Sequence, residues 1–335
     1  MAASFGVLSV GFVLFVAILF AEFWTIRGDI RKGSRAVPRQ CRRKPPQTIA
    51  PASGIAMASG RTTVLPRMDH VTVGEYWNAN AEAWTKLARA GYDLYRDHLN
   101  TPAFLELLPP VDGLSGLDIG CGEGHNTRLV AQRGAKMTAI DIAGTFVRFA
   151  QAEETRRPLG ITYREASAVE LPFADGTFAF ATAFMSLMDI PETERVLAEA
   201  FRVLAPGGFL QFSILHPCFN PPHRRNCRDE DRLTYAIEVG DYFIDARGRI
   251  DEWIFGAAPR STRDRLPNFK VPRFHRPVSE WLNLLVAAGF VLERFAEPCP
   301  TEEVVQAHPE LQDARVVAYF LHIRARKPAQ VATGT

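Results

Sequence analysis

The chain has 335 residues, 47% of them hydrophobic and 23% charged, which is ordinary globular composition and room for one large α/β domain with extra segments. Five irregularly spaced cysteines argue against a disulfide framework and for reduced thiols. The net charge of +2 conceals an asymmetry: residues 1–67 carry ten Lys/Arg against Glu22 and Asp29, so the remaining body is acidic and presents no footprint for nucleic acid.

No charged side chain occurs from Met1 to Ala21, and Phe23 and Trp24 follow as interfacial aromatics. Residues 1–24 are just long enough for a transmembrane anchor, which needs ~20 residues. Lysines and arginines between Arg27 and Lys44 then place the body in the cytoplasm by the positive-inside rule. Residues 25–67, basic and rich in Pro, Ala and Ser, read as a disordered linker. Met57 and Met68 are alternative starts, and either would leave a cytoplasmic protein without an anchor.

From residue 68 to 335 the pattern alternates between helical periodicity and short β-rich runs, the signature of an α/β sheet. Amphipathic helices are predicted at Tyr76–Leu87 and Tyr92–Leu99. Strands are predicted at Gly116–Ile119, Lys136–Asp141, Ile161–Arg164, Phe178–Phe184, Phe209–Ile214, Val291–Phe295 and Val316–Ile323. Helices fit between them at His125–Arg133, Thr145–Arg156, Glu192–Leu204 and Ser279–Ala288, the last stopped by Gly289. Some seventy-five residues separate the fifth and sixth strands, about twice what one crossover needs, so 217–276 reads as an inserted lid.

The first strand runs into Asp118-Ile119-Gly120-Cys121-Gly122-Glu123-Gly124. Glycines there allow a sharp turn and let a ligand lie on bare main chain at a helix N-terminus. A dinucleotide fingerprint needs a small residue three places after its second glycine. His125 stands there, which disfavours NAD or FAD. Asp141, ending the second strand, is placed to accept hydrogen bonds from both hydroxyls of a ribose; the competing reading is a cap for the next helix.

Four ordered segments carry a family resemblance: Asp118-x-Gly120-x-Gly122-x-Gly124; Ala139-Ile140-Asp141; Leu171-Pro172-Phe173 with Asp175-Gly176-x-Phe178; and Arg202-Val203-Leu204-Ala205-Pro206-Gly207-Gly208. Together they resemble class I S-adenosylmethionine-dependent methyltransferases, in detail the bacterial small-molecule branch called type 11, over about residues 70–326. The resemblance implies a Rossmann-like, seven-stranded, mostly parallel sheet with an antiparallel last strand. It implies that Asp118 and the loop Gly120, Cys121, Gly122 and Gly124 hold the methionine portion of the cofactor, Asp141 the ribose and Ile142 the adenine. Ser167 and Ala168 would meet the adenine edge, with Ser167 where many relatives carry Asp, and Phe184 and Met185 would lie near the sulfonium.

The fourth strand ends Phe184-Met185-Ser186-Leu187-Met188-Asp189, without the Asn/Asp-Pro-Pro-Tyr/Phe pattern of enzymes that methylate amino groups of DNA bases. A small-molecule acceptor methylated on oxygen or nitrogen is therefore expected, with a membrane quinone or lipid as the alternative class if the anchor is genuine. His216 follows the fifth strand, where open α/β sheets place their ligand crevice, and His275 closes the insertion. Both are candidate catalytic residues, as base or orienting group, against structural roles for each. His216, Cys218, His223 and Cys227 are zinc-type residues, but their spacing matches no metal pattern and no metal is expected. Eight aromatics between Phe219 and Phe274 suit a lid over a flat or greasy acceptor, or the core of the lid itself. A catalytically inactive sensor or scaffold that binds the cofactor is the rival reading of function.

Overall fold

The computed structural model describes residues Met68–Ala329. The expected anchor over 1–24 and linker over 25–67 lie outside the described residues. Among the described residues no helix is long and apolar enough to cross a membrane.

Helix α1 (His70–Arg89) begins six residues before the predicted start, because Asp69 caps it: its Oδ1 accepts from the Thr72 amide at 2.9 Å. The helix predicted at Tyr92–Leu99 is displaced. A π-turn at Arg96–Asn100 leads into α2 (Thr101–Leu107), whose first turn accommodates Pro102 without losing a hydrogen bond. The displacement leaves Tyr92, Asp93 and Tyr95 to line a cavity.

Seven strands form the central sheet: β1 (Ser115–Ile119), β2 (Lys136–Asp141), β3 (Thr162–Glu165), β4 (Phe178–Phe184), β5 (Leu204–Leu215), β10 (Val291–Ala296) and β11 (Phe320–Arg326). Their order is β10-β11-β5-β4-β1-β2-β3. All neighbours pair in parallel except β11, which runs antiparallel to both β10 and β5. The last strand starts four residues later than predicted, since Pro309–Arg315 winds into a 3-10 helix ahead of it.

Alternation along the strands divides the core. Leu117, Ile119, Ala181 and Phe212 pack with α5 (Thr193–Val203) and α6 (Val278–Ala287), where Trp281 and Leu285 are buried. Met137, Ala139, Phe180 and Phe209 face the other way, onto α3 (His125–Ala131) and α4 (Gly144–Arg156). Strand order reverses between β1 and β4, so a crevice opens beyond the C-terminal ends of those two strands, the usual ligand position in such sheets.

Residues 217–276 fold into two antiparallel hairpins: β6 (His223–Arg228) with β7 (Thr234–Gly240), and β8 (Arg249–Trp253) with β9 (Phe269–Arg273). The second hairpin is tied to α1 by aromatic packing. Trp84 lies 5.3 Å from Trp253, 4.9 Å from Phe255 and 4.8 Å from Phe269, ring centre to ring centre. Of the eight aromatics in this insertion, Trp253, Phe255 and Phe269 form the cluster, and Trp253 and Phe255 also line the cavity at the crevice.

Candidate functional site

At the crevice the chain leaves β1 through a turn that only glycine accommodates. Gly120 has φ +73°, and a Cβ there would sit 2.4 Å from the Cβ of Ser186 at the end of β4. The amides of Gly120 and Cys121 both donate to the Ile140 carbonyl at 2.9 Å, which ties the turn to β2. Gly122 has φ +55°, and a Cβ would meet nothing within 4 Å: its backbone faces open space. A cavity of about 560 Å³ begins there.

Gly120, Cys121, Gly122, Asp141, Ile142, Ser167, Ala168, Phe184 and Met185 all line that cavity. Asp141 is 8% exposed. Its Oδ2 accepts from the Gly122 amide and its Oδ1 from the Ala143 amide, each at 2.8 Å. Each oxygen keeps a further lone pair for a ligand hydroxyl. Burial pushes its pKa up to about 6, against the pull of those two amides. These two bonds hold the glycine loop and the start of the next connection against the end of β2; the N-cap of α4 is Ala143, which takes no side-chain cap bond. Ser167 turns its hydroxyl to the Val169 amide at 3.2 Å. Met185 holds a left-handed backbone at φ +57°, a conformation that persists in a non-glycine residue only where the surroundings impose it.

Two of the proposed cofactor residues stand elsewhere. Asp118 lies beneath the loop, where its oxygens accept from Thr127 at 2.5 Å and Thr182 at 2.8 Å. Burial raises its pKa, and the two hydroxyl bonds oppose the shift. It clamps β1, β4 and α3 together and does not line the cavity. Gly124 faces Tyr163, whose Oη a Cβ would approach to 2.7 Å.

Neither candidate catalytic histidine reaches the cavity. His216 is 4% exposed, its Nε2 lies 2.7 Å from Glu297 Oε1 and its Nδ1 accepts from the Cys218 amide. The His216 amide itself donates to the Tyr319 carbonyl, which turns the chain away after β5. His275 bonds the Tyr242 carbonyl at 2.9 Å through Nε2 and lines an adjoining pocket of about 270 Å³ that shares Met188, Leu215 and Arg273 with the cavity. Both stand outside the wall of the cavity that the glycine loop lines. The zinc-type residues are separately engaged, His223 with Glu238 and Cys218 with Tyr242.

Residues from the insertion and from α1 complete the cavity, Trp253 and Phe255 among the aromatics expected there and the others not singled out by the sequence. Trp253, Ile254, Phe255, Ala257, Val271 and Arg273 close it from the second hairpin, and Trp77 and Trp84 from α1. Asp189, at the end of a 3-10 turn after β4 (Leu187–Asp189), lines it with a carboxylate that is 4% exposed. Its only sequence signal was its place just past a central strand.

A cavity lined by bare backbone, a hydrogen-bond-accepting carboxylate and apolar walls has the chemistry to hold a nucleoside bearing an amino-acid tail. The comparisons agree. Residues 117–212 match a sequence family described as a methyltransferase domain. The malonyl-[acyl-carrier protein] O-methyltransferase of Pectobacterium atrosepticum is 30% identical over 144 residues, 42% of this chain and 55% of that protein. The ubiquinone biosynthesis O-methyltransferase of Chromobacterium violaceum is 32% identical over 117 residues, 34% of this chain and 49% of that protein. The chain thus spans about half the length of these curated relatives. A crystal structure of an S-adenosylmethionine-dependent methyltransferase from Mesorhizobium loti superposes with TM-score 0.54 at 28% identity, covering 67% of this chain and 96% of that one. With that match lying across the glycine turn and the strands on either side of the switch point, the chain carries a class I S-adenosylmethionine-dependent methyltransferase domain.

Proposed function

We propose that the protein is an O-methyltransferase acting on a flat, largely apolar small molecule. The observation that carries this reading is one continuous cavity with two unlike kinds of lining: bare glycine backbone with Asp141, and aromatic residues of the insertion. The printed names of the relatives, O-methyltransferases among them, support oxygen as the methylated atom.

In this reading Gly120, Cys121 and Gly122 cradle the methionine portion of the cofactor and Asp141 accepts from the ribose. Ile142 packs on the adenine, Ser167 and Ala168 meet its edge, and Phe184 and Met185 border the reacting end. Gly124 and Asp118 act by shaping the loop. S-adenosylmethionine supplies a methyl group on a sulfonium, an electrophile that needs no activation. The protein's share is alignment and exclusion of water, worth most where the walls are apolar. Trp253, Phe255 and Val271 provide such walls over the acceptor end. Attachment to a membrane through residues 1–24 would suit a quinone- or lipid-like acceptor, and belongs to this proposal.

Calorimetry on the full chain with S-adenosylmethionine, S-adenosylhomocysteine and NAD tests the cofactor half. Both sulfur ligands are expected to bind and NAD to give no heat. Binding of NAD alone would overturn it. Labelled methyl donor incubated with a metabolite extract tests the other half: the labelled product is expected to be an ether or ester of a flat, apolar molecule, and label on nitrogen or carbon would refute oxygen.

A further inference from the structure

Two buried carboxylate oxygens in the cavity wall lack a hydrogen-bond partner: Glu123 Oε1 and Asp189 Oδ1. Glu123 is nonetheless neutralised, with Arg89 Nε at 2.7 Å and Arg96 Nη1 at 3.6 Å. Asp189 is different. Its nearest cation is Arg273, whose Nη1 stands 3.7 Å from Oδ1, too far for a hydrogen bond. Arg273 gives its Nε to Asp251 across the hairpin, at 3.2 Å. A buried acceptor left without a donor is destabilising, so a carboxylate kept in that state points to a donor that arrives with the ligand.

We infer that Asp189 is the catalytic base, accepting the proton of an acidic, phenol-type hydroxyl on the acceptor. This rests on the methyltransferase reading above and names the acceptor chemistry within it. The acceptor's O–H proton passes to Asp189 Oδ1, and an oxygen lone pair forms the new bond to the methyl carbon. The carbon–sulfur pair returns to sulfur, which becomes a neutral thioether, and Asp189 releases its proton to water when product leaves.

The surroundings suit the task. The turn Leu187–Asp189 packs on β5, β9 and α5. β9 brings Arg273, with Asp251 opposite on β8, and the start of α5 brings Glu192, already paired with His70 at 3.2 Å. Beyond β5, His216 is held by Glu297, and Arg276 donates to the Ile190 and Pro191 carbonyls. Burial pushes the pKa of Asp189 up to about 7, partly opposed by Arg273. A base poised there is half ionised at neutral pH and can hold the proton it takes.

The test compares wild type with Asp189→Asn, using 4-nitrocatechol and catechol as acceptor probes and S-adenosylhomocysteine as cofactor probe. S-adenosylhomocysteine is expected to bind both proteins equally; if it binds neither, the methyltransferase reading has failed and not the assignment of the base. Methylation of the probes by wild type should rise with pH to a plateau above about 7. Asp189→Asn should lower the rate roughly 10²–10⁴-fold at pH 7 and recover toward high pH, where the phenolate forms unaided. Equal rates in the two proteins, or no methylation of either probe by wild type that binds S-adenosylhomocysteine, would overturn the inference.

A second readout needs no turnover. The folded-state pKa lies above the unfolded 3.8, so the contribution of Asp189 to stability is full below about pH 4 and is lost as pH rises through about 7. Asp189→Asn should remove that loss. The difference in urea midpoint between the proteins should therefore move in favour of the variant across this window. A constant difference would show a carboxylate that does not titrate there, and would remove the base.

Discussion

His216 Nε2 lies 2.7 Å from Glu297 Oε1 while His216 Nδ1 accepts from the Cys218 amide at 3.2 Å. An imidazole whose Nδ1 accepts carries its proton on Nε2, so this ring donates to Glu297 and has no free lone pair for an acceptor's proton. Its work is to fix the turn that leads from β5 into the lid. His216→Ala is expected to cost about 1–3 kcal/mol of stability, chiefly by leaving a buried amide without an acceptor. The exposed Glu297 adds little. Turnover per folded molecule should stay within a few-fold of wild type. Urea unfolding alongside single-turnover rates checks this, and a drop in rate without a drop in stability would return His216 to the chemistry.

Asp141 gives opposite pH slopes for binding and for folding. Its folded-state pKa of about 6 exceeds the unfolded value of 3.8, so its stabilising contribution is full below the lower value and fades as pH rises through about 6. Ligand hydroxyls need the ionised form, so S-adenosylhomocysteine affinity should instead fall as pH drops through about 6. Asp141→Asn should abolish that slope and weaken binding by about 1–3 kcal/mol at neutral pH. Calorimetry across this range decides it; a variant that keeps both affinity and slope would make Asp141 a tie for the glycine loop alone.

Gly120 and Gly122 should fail in different ways. Gly120→Ala drives a methyl group into Ser186 at the switch point, so the expected result is lost stability and lost binding together. At Gly122 the strain of a left-handed alanine, about 1–2 kcal/mol, is the only folding cost, because no atom lies near. Gly122→Ala should fold and bind S-adenosylhomocysteine poorly. Melting temperatures and affinities measured on both variants separate the cases, and normal binding by Gly122→Ala would show that no ligand lies on that backbone.

These differences show what the sequence could and could not convey. The glycine-loop part of the cavity was legible because it is local: glycines at a strand end and an acid at the next strand end act within a few residues of themselves. All seven sheet strands were legible for the same reason, from period-two patterns closed by turn residues, the last with its start placed four residues early. The part of the cavity lined by the second hairpin is built by long-range packing. His216 occupies the expected strand end, but its amide is captured by Tyr319, and no nearby residue announces that. Asp189 is the reverse case. It was visible just past β4, but its burial without a hydrogen-bond partner depends on β9, which only the folded lid brings beside it.

The lid hairpin offers the last test. Phe269 is 1% exposed, and its ring centre lies 4.8 Å from that of Trp84 and 5.4 Å from those of Trp253 and Phe255. Phe269→Ala should cost about 3–5 kcal/mol, as large aromatic truncations in a packed core do. The loss should appear first as local opening of β8 and β9, since this cluster, with the two hydrogen bonds between Asn80 and the Lys270 backbone, attaches them to α1. Arg273 ends the same strand, so loosening it also withdraws the guanidinium from Asp189. Turnover should therefore fall by more than S-adenosylhomocysteine affinity, because Gly120, Gly122 and Asp141 are held by β1 and β2 and not by the lid. Phe243→Ala is the control: that ring is 87% exposed, and its removal should change neither quantity. Hydrogen exchange in β8 and β9, read beside the affinity and the rate, distinguishes the outcomes. Equal loss of affinity and turnover in Phe269→Ala would mean that the hairpin supports the whole cavity, and the division of labour between loop and lid would have to be abandoned.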